Sequence, residues 1–146
     1  MQKIRILWPG KTKDRHLAEG INYYLKLLSP LTRLSVVEIK EERGKARDAA
    51  LDAEAKRILK QADVFYLLDE KGRQYTSVEF ARFLKDNERV EFVLGGAFGV
   101  SDEVRQKAKG AVALSRMTLT HEMARLLFLE QLYRAFTILK GKEYHH

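Results

Sequence analysis

The sequence has 146 residues, of which 45% are apolar and 32% are charged, and these proportions predict a single globular domain over residues 1–146. No apolar run reaches the roughly 18–20 residues of a membrane-spanning helix, and the chain has no cysteine for a disulfide or a thiolate metal site. The net charge of +7 favours a polyanionic partner such as nucleic acid, with an acidic substrate, a membrane surface or simple solubility as alternatives.

Apolar runs alternate with amphipathic segments along the chain. In chain order we predict a strand at 4–8, a helix at 14–28, a strand at 34–39, a helix at 44–62, a strand at 64–68, a turn at 69–72, a helix at 76–86, a strand at 90–94, a helix at 101–109, a strand at 111–114 and a helix at 120–140 that ends before Gly141. This alternation is typical of an α/β domain with a mainly parallel sheet. Because ligands of open α/β sheets bind outside the carboxyl ends of the strands, we expect the site at loops 69–72, 95–100 and 115–120.

A glycine-rich loop follows the predicted strand at 90–94. Its glycines, at positions 95, 96 and 99, do not have the spacing of a dinucleotide fingerprint or of a P-loop. After the predicted N-cap Ser101, the first helical turn holds Asp102 and Glu103, whose negative charge would repel a phosphate. Two interpretations stay open: a tight structural turn, or one wall of a site for a neutral or cationic nucleoside-like ligand such as S-adenosylmethionine (SAM).

The last predicted helix, which follows the N-cap Thr120, is apolar around much of its circumference. Its apolar residues are Met123, Leu126, Leu127, Leu129, Leu132, Tyr133 and Phe136. A helix of this kind is buried on more than one side, and a homodimer would supply the second side. On the same helix, Glu130 and Arg134 have the i, i+4 spacing of a weak surface pair, or else they form a desolvated functional pair.

Five motifs occur in one order along the chain. They are LDEKG at 68–72, FVLGGAFG at 92–99, LSRMTLTH at 114–121, EQLYRA at 130–135 and YH at 144–145. Over essentially the whole chain, this series resembles the RlmH (YbeA-like) family of SPOUT methyltransferases. The resemblance implies an α/β-knot fold with a carboxyl-terminal trefoil knot, an obligate homodimer, and SAM as the cofactor. It also implies methyl transfer to N3 of a pseudouridine in helix 69 of 23S rRNA, on the assembled ribosome.

The resemblance further implies which residues form the cofactor site, with Gly96 as the residue that lets SAM come close. They are Leu68, Gly95, Gly96, Ser115, Arg116, Met117, Thr118, Leu119 and Thr120. Thr120 stands where the family often has proline, and His146 stands where the family usually has a more basic residue. We expect a cytoplasmic protein without a metal or a membrane contact, because the amino-terminal segment does not have the pattern of a signal peptide.

Methylation of N3 requires that the imide proton leaves, which a base or a nearby cation would help. We expect His145 to be that base, Tyr144 to stack on or hydrogen-bond to the nucleobase, and Arg134 to stabilise the imide anion or contact a phosphate. A disordered tail is the alternative for Tyr144 to His146. SPOUT enzymes place their site at the dimer interface, so one subunit's tail would act on the other's cofactor. Two other functions stay open: a non-catalytic ribosome- or RNA-binding module with a vestigial cofactor pocket, and a different small-molecule enzyme on a flavodoxin-like sheet.

Overall fold

Five strands and five helices alternate along the chain in the computed structural model, which describes residues 1–146. The strands are β1 (Lys3–Pro9), β2 (Arg33–Ile39), β3 (Phe65–Gln74), β4 (Arg89–Leu94) and β5 (Gly110–Ala113). The helices are α1 (Arg15–Leu28), α2 (Arg47–Gln61), α3 (Ser77–Lys85), α4 (Asp102–Lys107) and α5 (His121–Leu139).

The strands form one sheet in the order β2-β1-β4-β3-β5, and every neighbouring pair is parallel. This confirms the predicted α/β class with a parallel sheet. The order places β4, β3 and β5 side by side, so the segments at their carboxyl ends meet at one edge of the sheet. The trefoil knot stays a prediction.

A hydrophobic core lies on each face of the sheet. Because side chains alternate along a strand, Ile6 of β1 packs with α1, α3 and α5, whereas its neighbour Leu7 packs with α2 and α4. Phe92 and Val93 of β4 divide between the two cores in the same way. The central strands are therefore covered on both faces, as their continuous apolar sequences predict.

Two predicted boundaries differ from the structure. Helix α2 begins at Arg47 rather than at residue 44, because Gly44 has a φ of 73°, which lies outside the helical region. The predicted turn at 69–72 is wrong, since β3 continues to Gln74 through a register shift between Leu68 and Arg73. A β-carbon at Gly72 would lie 2.6 Å from the carbonyl carbon of Ala111, so the glycine serves a close approach of β3 and β5.

The long helix α5 packs against α1 and α3 and is only partly covered. Leu129, Leu132 and Phe136 are buried as predicted, whereas Met123 and Leu127 each keep 38% of their surface exposed. An apolar strip along α5 thus lacks a covering element in one protomer. None of the five helices is long and apolar enough to cross a membrane.

Candidate functional site

A cavity of about 550 Å³ lies at the carboxyl ends of β3, β4 and β5. This volume falls in the range of roughly 300–1,000 Å³ that small-ligand sites occupy. The cavity is formed by the three segments that the sequence places there. Of the nine predicted cofactor residues, the eight that line it are Leu68, Gly95, Gly96, Ser115, Met117, Thr118, Leu119 and Thr120. The ninth, Arg116, is exposed and does not line it.

The glycine loop after β4 is a tight turn that closes on itself. The amide of Gly99 donates a hydrogen bond to the carbonyl of Gly96 at 3.0 Å, and Gly99 has a φ of 78°. A β-carbon at Gly95 would lie 2.8 Å from the carbonyl carbon and oxygen of Gly99. The turn itself therefore requires Gly95 and Gly99.

Gly96 differs from the other two glycines of the loop, Gly95 and Gly99. A β-carbon there would lie 3.5 Å from Pro9 and 3.7 Å from a carboxylate oxygen of Glu54, which are ordinary contacts. Gly96 lines the cavity with its backbone, and the side-chain position that it leaves free faces Pro9 and Glu54. The tightest packing within the loop is at Gly95, and the close approach of SAM to Gly96 stays a prediction.

Polar contacts hold the other two walls of the cavity together. The hydroxyl of Thr118 donates to the carboxylate of Glu70, and Arg105 of α4 pairs with Asp69. The hydroxyl of Ser115 accepts from the amide of Met117 at 2.9 Å. These contacts connect the 115–120 segment and α4 to the bulged part of β3. Asp69 and Glu70 belong to a motif noted in the sequence, whereas nothing in the sequence singles out Arg105.

The amino-terminal end of α5 supplies the last wall. The Thr120 hydroxyl accepts from the amide of Met123 at 3.2 Å, which confirms the predicted N-cap. His121 lines the cavity, and burial, followed by the charge of Arg125, lowers the pKa of its imidazole below the ordinary 6.5. The imidazole is therefore uncharged at neutral pH. Its place in the LSRMTLTH motif is the signal that could have marked it as a cavity residue.

Arg125 and Glu122 fix this end of α5 to the segment after β1. The Glu122 carboxylate accepts from the amides of Lys13 and Asp14 at 3.0 and 2.9 Å. Burial would raise the pKa of Glu122, but these two hydrogen bonds, with the positive charge of Arg125, lower it overall.

The guanidinium of Arg125 is fully buried and has no carboxylate partner. It donates to the carbonyls of Pro9 and Gly10 at 2.6 and 3.2 Å and to the Thr12 hydroxyl at 3.1 Å, and it lies 4.8 Å from the Trp8 ring. We did not predict this role from the sequence. Arg125 precedes the buried Leu129 and Leu132 by four and seven residues, which places all three on one face of the helix. This spacing is the signal that could have marked Arg125 as inward-facing.

The three predicted catalytic residues lie together at the carboxyl-terminal end of α5. The Arg134 guanidinium donates to the carboxylate of Glu130 at 3.0–3.1 Å and lies 4.9 Å from the centre of the Tyr144 ring. Its Nη1 is 3.0 Å from Nδ1 of His145. Because a guanidinium only donates, Nδ1 of His145 must accept, and a neutral imidazole then carries its proton on Nε2.

Tyr144 is held by two other tyrosines. Its hydroxyl is 3.4 Å from the hydroxyl of Tyr24, and its ring meets Tyr133 edge to face at 4.8 Å. Burial and the contact with Tyr24 raise the pKa of Tyr144 well above 10, so its hydroxyl stays protonated. The hydrogen bond to Glu130 also raises the pKa of Arg134, which stays cationic.

We define the tail cluster as Glu130, Arg134, Tyr144 and His145. The cavity lies at the amino-terminal end of α5, whereas the tail cluster lies at its carboxyl-terminal half. Ala124 is the last residue of α5 that lines the cavity, and ten residues of helix at 1.5 Å per residue separate it from Arg134 by about 15 Å along the axis. No member of the tail cluster lines the cavity. A single protomer therefore does not bring the two parts of the predicted site together.

Comparison with known proteins gives consistent similarities. A family model described as "Predicted SPOUT methyltransferase" matches residues 2–145. The chain is 44% identical over 147 residues to the Ribosomal RNA large subunit methyltransferase H of Thermodesulfovibrio yellowstonii, and the match covers 100% of both chains.

Two solved structures share the fold at low sequence identity. A probable methylase family protein from Haemophilus influenzae has a TM-score of 0.57 at 18% identity, over 99% of this chain and 71% of that one. A putative methyltransferase from Legionella pneumophila, in complex with bound SAM, has a TM-score of 0.53 at 14% identity, over 92% of this chain and 66% of that one.

Proposed function

Because the chain belongs to the SPOUT methyltransferase family, we propose that it is a SAM-dependent enzyme that methylates N3 of a pseudouridine in helix 69 of 23S rRNA, on the assembled ribosome. The observation that carries the proposal is the cavity at the carboxyl edge of the sheet, formed by the segments of the three motifs at 68–72, 92–99 and 114–121. The full-length relative from Thermodesulfovibrio yellowstonii, named as a methyltransferase of large-subunit rRNA, supports the substrate class.

The charges around the cavity suit SAM better than a nucleotide. Asp102 and Glu103 fill the first turn of α4 and disfavour a phosphate there. The carboxylate of Glu70 and the uncharged imidazole of His121 are compatible with a sulfonium cation. SAM, when bound, supplies the methyl group on a positively charged sulfur. The leucine side chains in the wall, Leu67, Leu94 and Leu114, exclude water from its surroundings.

The tail cluster supplies the groups that act on the nucleobase. Loss of the N3 proton to solvent water leaves negative charge on the imide, and a fixed cation and a hydrogen-bond donor stabilise such charge until N3 takes the methyl group from the sulfonium. Arg134 provides the cation. His145, whose Nδ1 faces Arg134, offers Nε2–H as a donor, so we propose this role for it in place of the base that we expected from the sequence.

The distance between the cavity and the tail cluster supports a homodimer with a shared site. Since about 15 Å of α5 separates Ala124 of the cavity wall from Arg134 in one protomer, a shared site requires the tail of one copy to reach the cavity of another. The exposed Met123 and Leu127 on α5 provide apolar surface for this association.

Mixing two impaired variants, with SAM held below the concentration that saturates the wild type, tests the shared site. One variant carries Gly95→Ala in the cavity loop, and the other lacks Tyr144 to His146. A mixed dimer has one intact cavity facing one intact tail, so re-equilibrated mixtures should regain part of the wild-type methyl transfer. If the tail acts within its own protomer, the mixture stays as impaired as its components.

Methyl transfer from labelled SAM to ribosomes tests the function itself. We expect label in 23S rRNA and none in free nucleosides. A ribosome-binding module without catalysis would bind ribosomes and transfer no label, and it would give no heat with SAM in calorimetry.

A further inference from the structure

Two of the three segments that line the cavity each turn one residue outward. In the loop at 95–100, every residue lines the cavity except Phe98. In the segment at 115–120, every residue lines it except Arg116. An aromatic side chain and an arginine therefore lie on the outer side of the cavity walls.

Phe98 is 55% exposed, and no other phenylalanine is an exposed large hydrophobic residue. The tight turn explains why, because the hydrogen bond between Gly96 and Gly99 leaves Phe98 at its tip. A phenylalanine that stays in water gives up the stabilisation that burial would provide. Its position is explained if a ligand covers the ring.

One cation lies beside Phe98. The guanidinium carbon of Arg47, at the start of α2, lies 5.7 Å from the centre of the Phe98 ring. Neither Arg47 nor Arg116 forms an ion pair with a carboxylate. An aromatic ring beside one unpaired arginine, with a second unpaired arginine on another segment of the cavity wall, is a combination that binds unstacked nucleobases and their phosphates.

We propose that Phe98 stacks on a nucleobase adjacent to the reacting nucleotide, while Arg47 and Arg116 contact phosphates of the same RNA segment. This inference rests on the proposed RNA substrate. A nucleotide that enters the cavity must leave its own stack, and its unstacked neighbour then gains a replacement surface on Phe98. RNA fits this surface better than a second copy of the chain, which would bring a further net charge of +7 against the two arginines.

Ribosome affinity, measured without SAM, tests the stacking contact. Stacking on one aromatic side chain has a measured effect that corresponds to about 5- to 150-fold in affinity. Phe98→Ala should weaken ribosome binding within this range and leave SAM affinity unchanged. Phe98→Trp should retain binding, whereas Phe98→Leu, which keeps the apolar surface without the ring face, should lose it.

Val64→Ala is the matched control, because Val64 is 58% exposed and lies just before β3, at the amino end of the sheet. The Val64→Ala protein should bind ribosomes like the wild type. Arg47→Ala and Arg116→Ala should each reduce the slope of log affinity against log salt concentration by about 1.

Either of two affinities would overturn the proposal: wild-type ribosome affinity in Phe98→Ala, or wild-type ribosome affinity in Phe98→Leu. The proposal is also overturned if sedimentation shows that the Phe98→Ala protein is a monomer while the wild type is a dimer, because Phe98 would then contact a second copy of the chain. A wild-type protein that binds ribosomes through Phe98 but transfers no methyl group would contradict the proposed function and leave this contact standing.

Discussion

Gly95 is the position at which one added methyl group should damage the cavity most. In Gly95→Ala the β-carbon would lie 2.8 Å from the carbonyl carbon and oxygen of Gly99 and 2.9 Å from its Cα. Ordinary contacts begin near 3.4 Å, so the overlap with each carbonyl atom is 3.4 − 2.8, or about 0.6 Å. All three atoms belong to the backbone, and no side chain can rotate away to relieve the overlap.

Overpacking of this kind costs about 1–3 kcal/mol. If the loop moves to relieve the strain, the cavity changes shape and the dissociation constant for SAM rises by about 5- to 150-fold. If the loop holds, the same free energy is lost from the stability of the fold, and the melting temperature falls by roughly 2–4 °C per kcal/mol. Calorimetric titration with SAM and a thermal melt on the same protein measure both effects.

Gly96→Ala is the control for this experiment. Its β-carbon would meet Pro9 at 3.5 Å and Glu54 at 3.7 Å, so SAM affinity and melting temperature should both stay close to the wild type. The reasoning is refuted if Gly95→Ala matches the wild type in both measurements, or if Gly96→Ala loses as much SAM affinity as Gly95→Ala.

SAM affinity should weaken as the pH falls through the pKa of His121, which burial and Arg125 hold below 6.5, because an imidazolium would face the sulfonium. Stability should fall over the same range, since the unfolded chain binds the proton more readily. His121→Asn should remove the pH dependence of SAM affinity in calorimetry and that of stability in thermal melts, and an unchanged pH dependence would contradict this role. Deleting Tyr144 to His146 should reduce turnover far more than SAM affinity, because no tail residue lines the cavity and Arg134 lies about 15 Å along α5 from Ala124 of its wall; equal losses would argue against it. Arg125→Ala should cost about 3 kcal/mol or more in denaturant unfolding, since it removes the charged donor to one buried and two partly buried oxygens and leaves a void. Arg125→Lys should lose less, and an Arg125→Ala protein of wild-type stability would show that these hydrogen bonds are dispensable.

The periodic parts of the fold are predictable from the sequence. The alternation of apolar runs and helical spacing gives the order of all ten elements, and Thr120 and Ser101 are recognisable N-caps. The departures come from contacts that local sequence does not contain. Asp69 to Gly72 has the composition of a turn, but pairing with β5 on both sides of the bulge keeps it in a strand.

The cavity follows from the sequence better than the tail cluster does. The segments at 95–100 and 115–120 each follow a strand of the parallel sheet, and Leu68 to Glu70 belong to the strand between those two, so their meeting is a consequence of topology. The tail depends on Tyr24 and Tyr133, and only the folded packing of α1 against α5 brings Tyr24 near Tyr144. Arg125 was missed for a similar reason, because two of its three acceptors are backbone carbonyls, which have no signature in the sequence.

The measurement that tests the proposed function most directly is mass spectrometry of helix 69 fragments of 23S rRNA from cells with and without this protein. We expect a pseudouridine of this stem-loop to carry one additional methyl group, on N3, only when the protein is present. Purified protein with SAM should restore the group on ribosomes from the deficient cells. An identical helix 69 in both strains, or a restored methyl group on a different nucleotide, would contradict the proposed substrate.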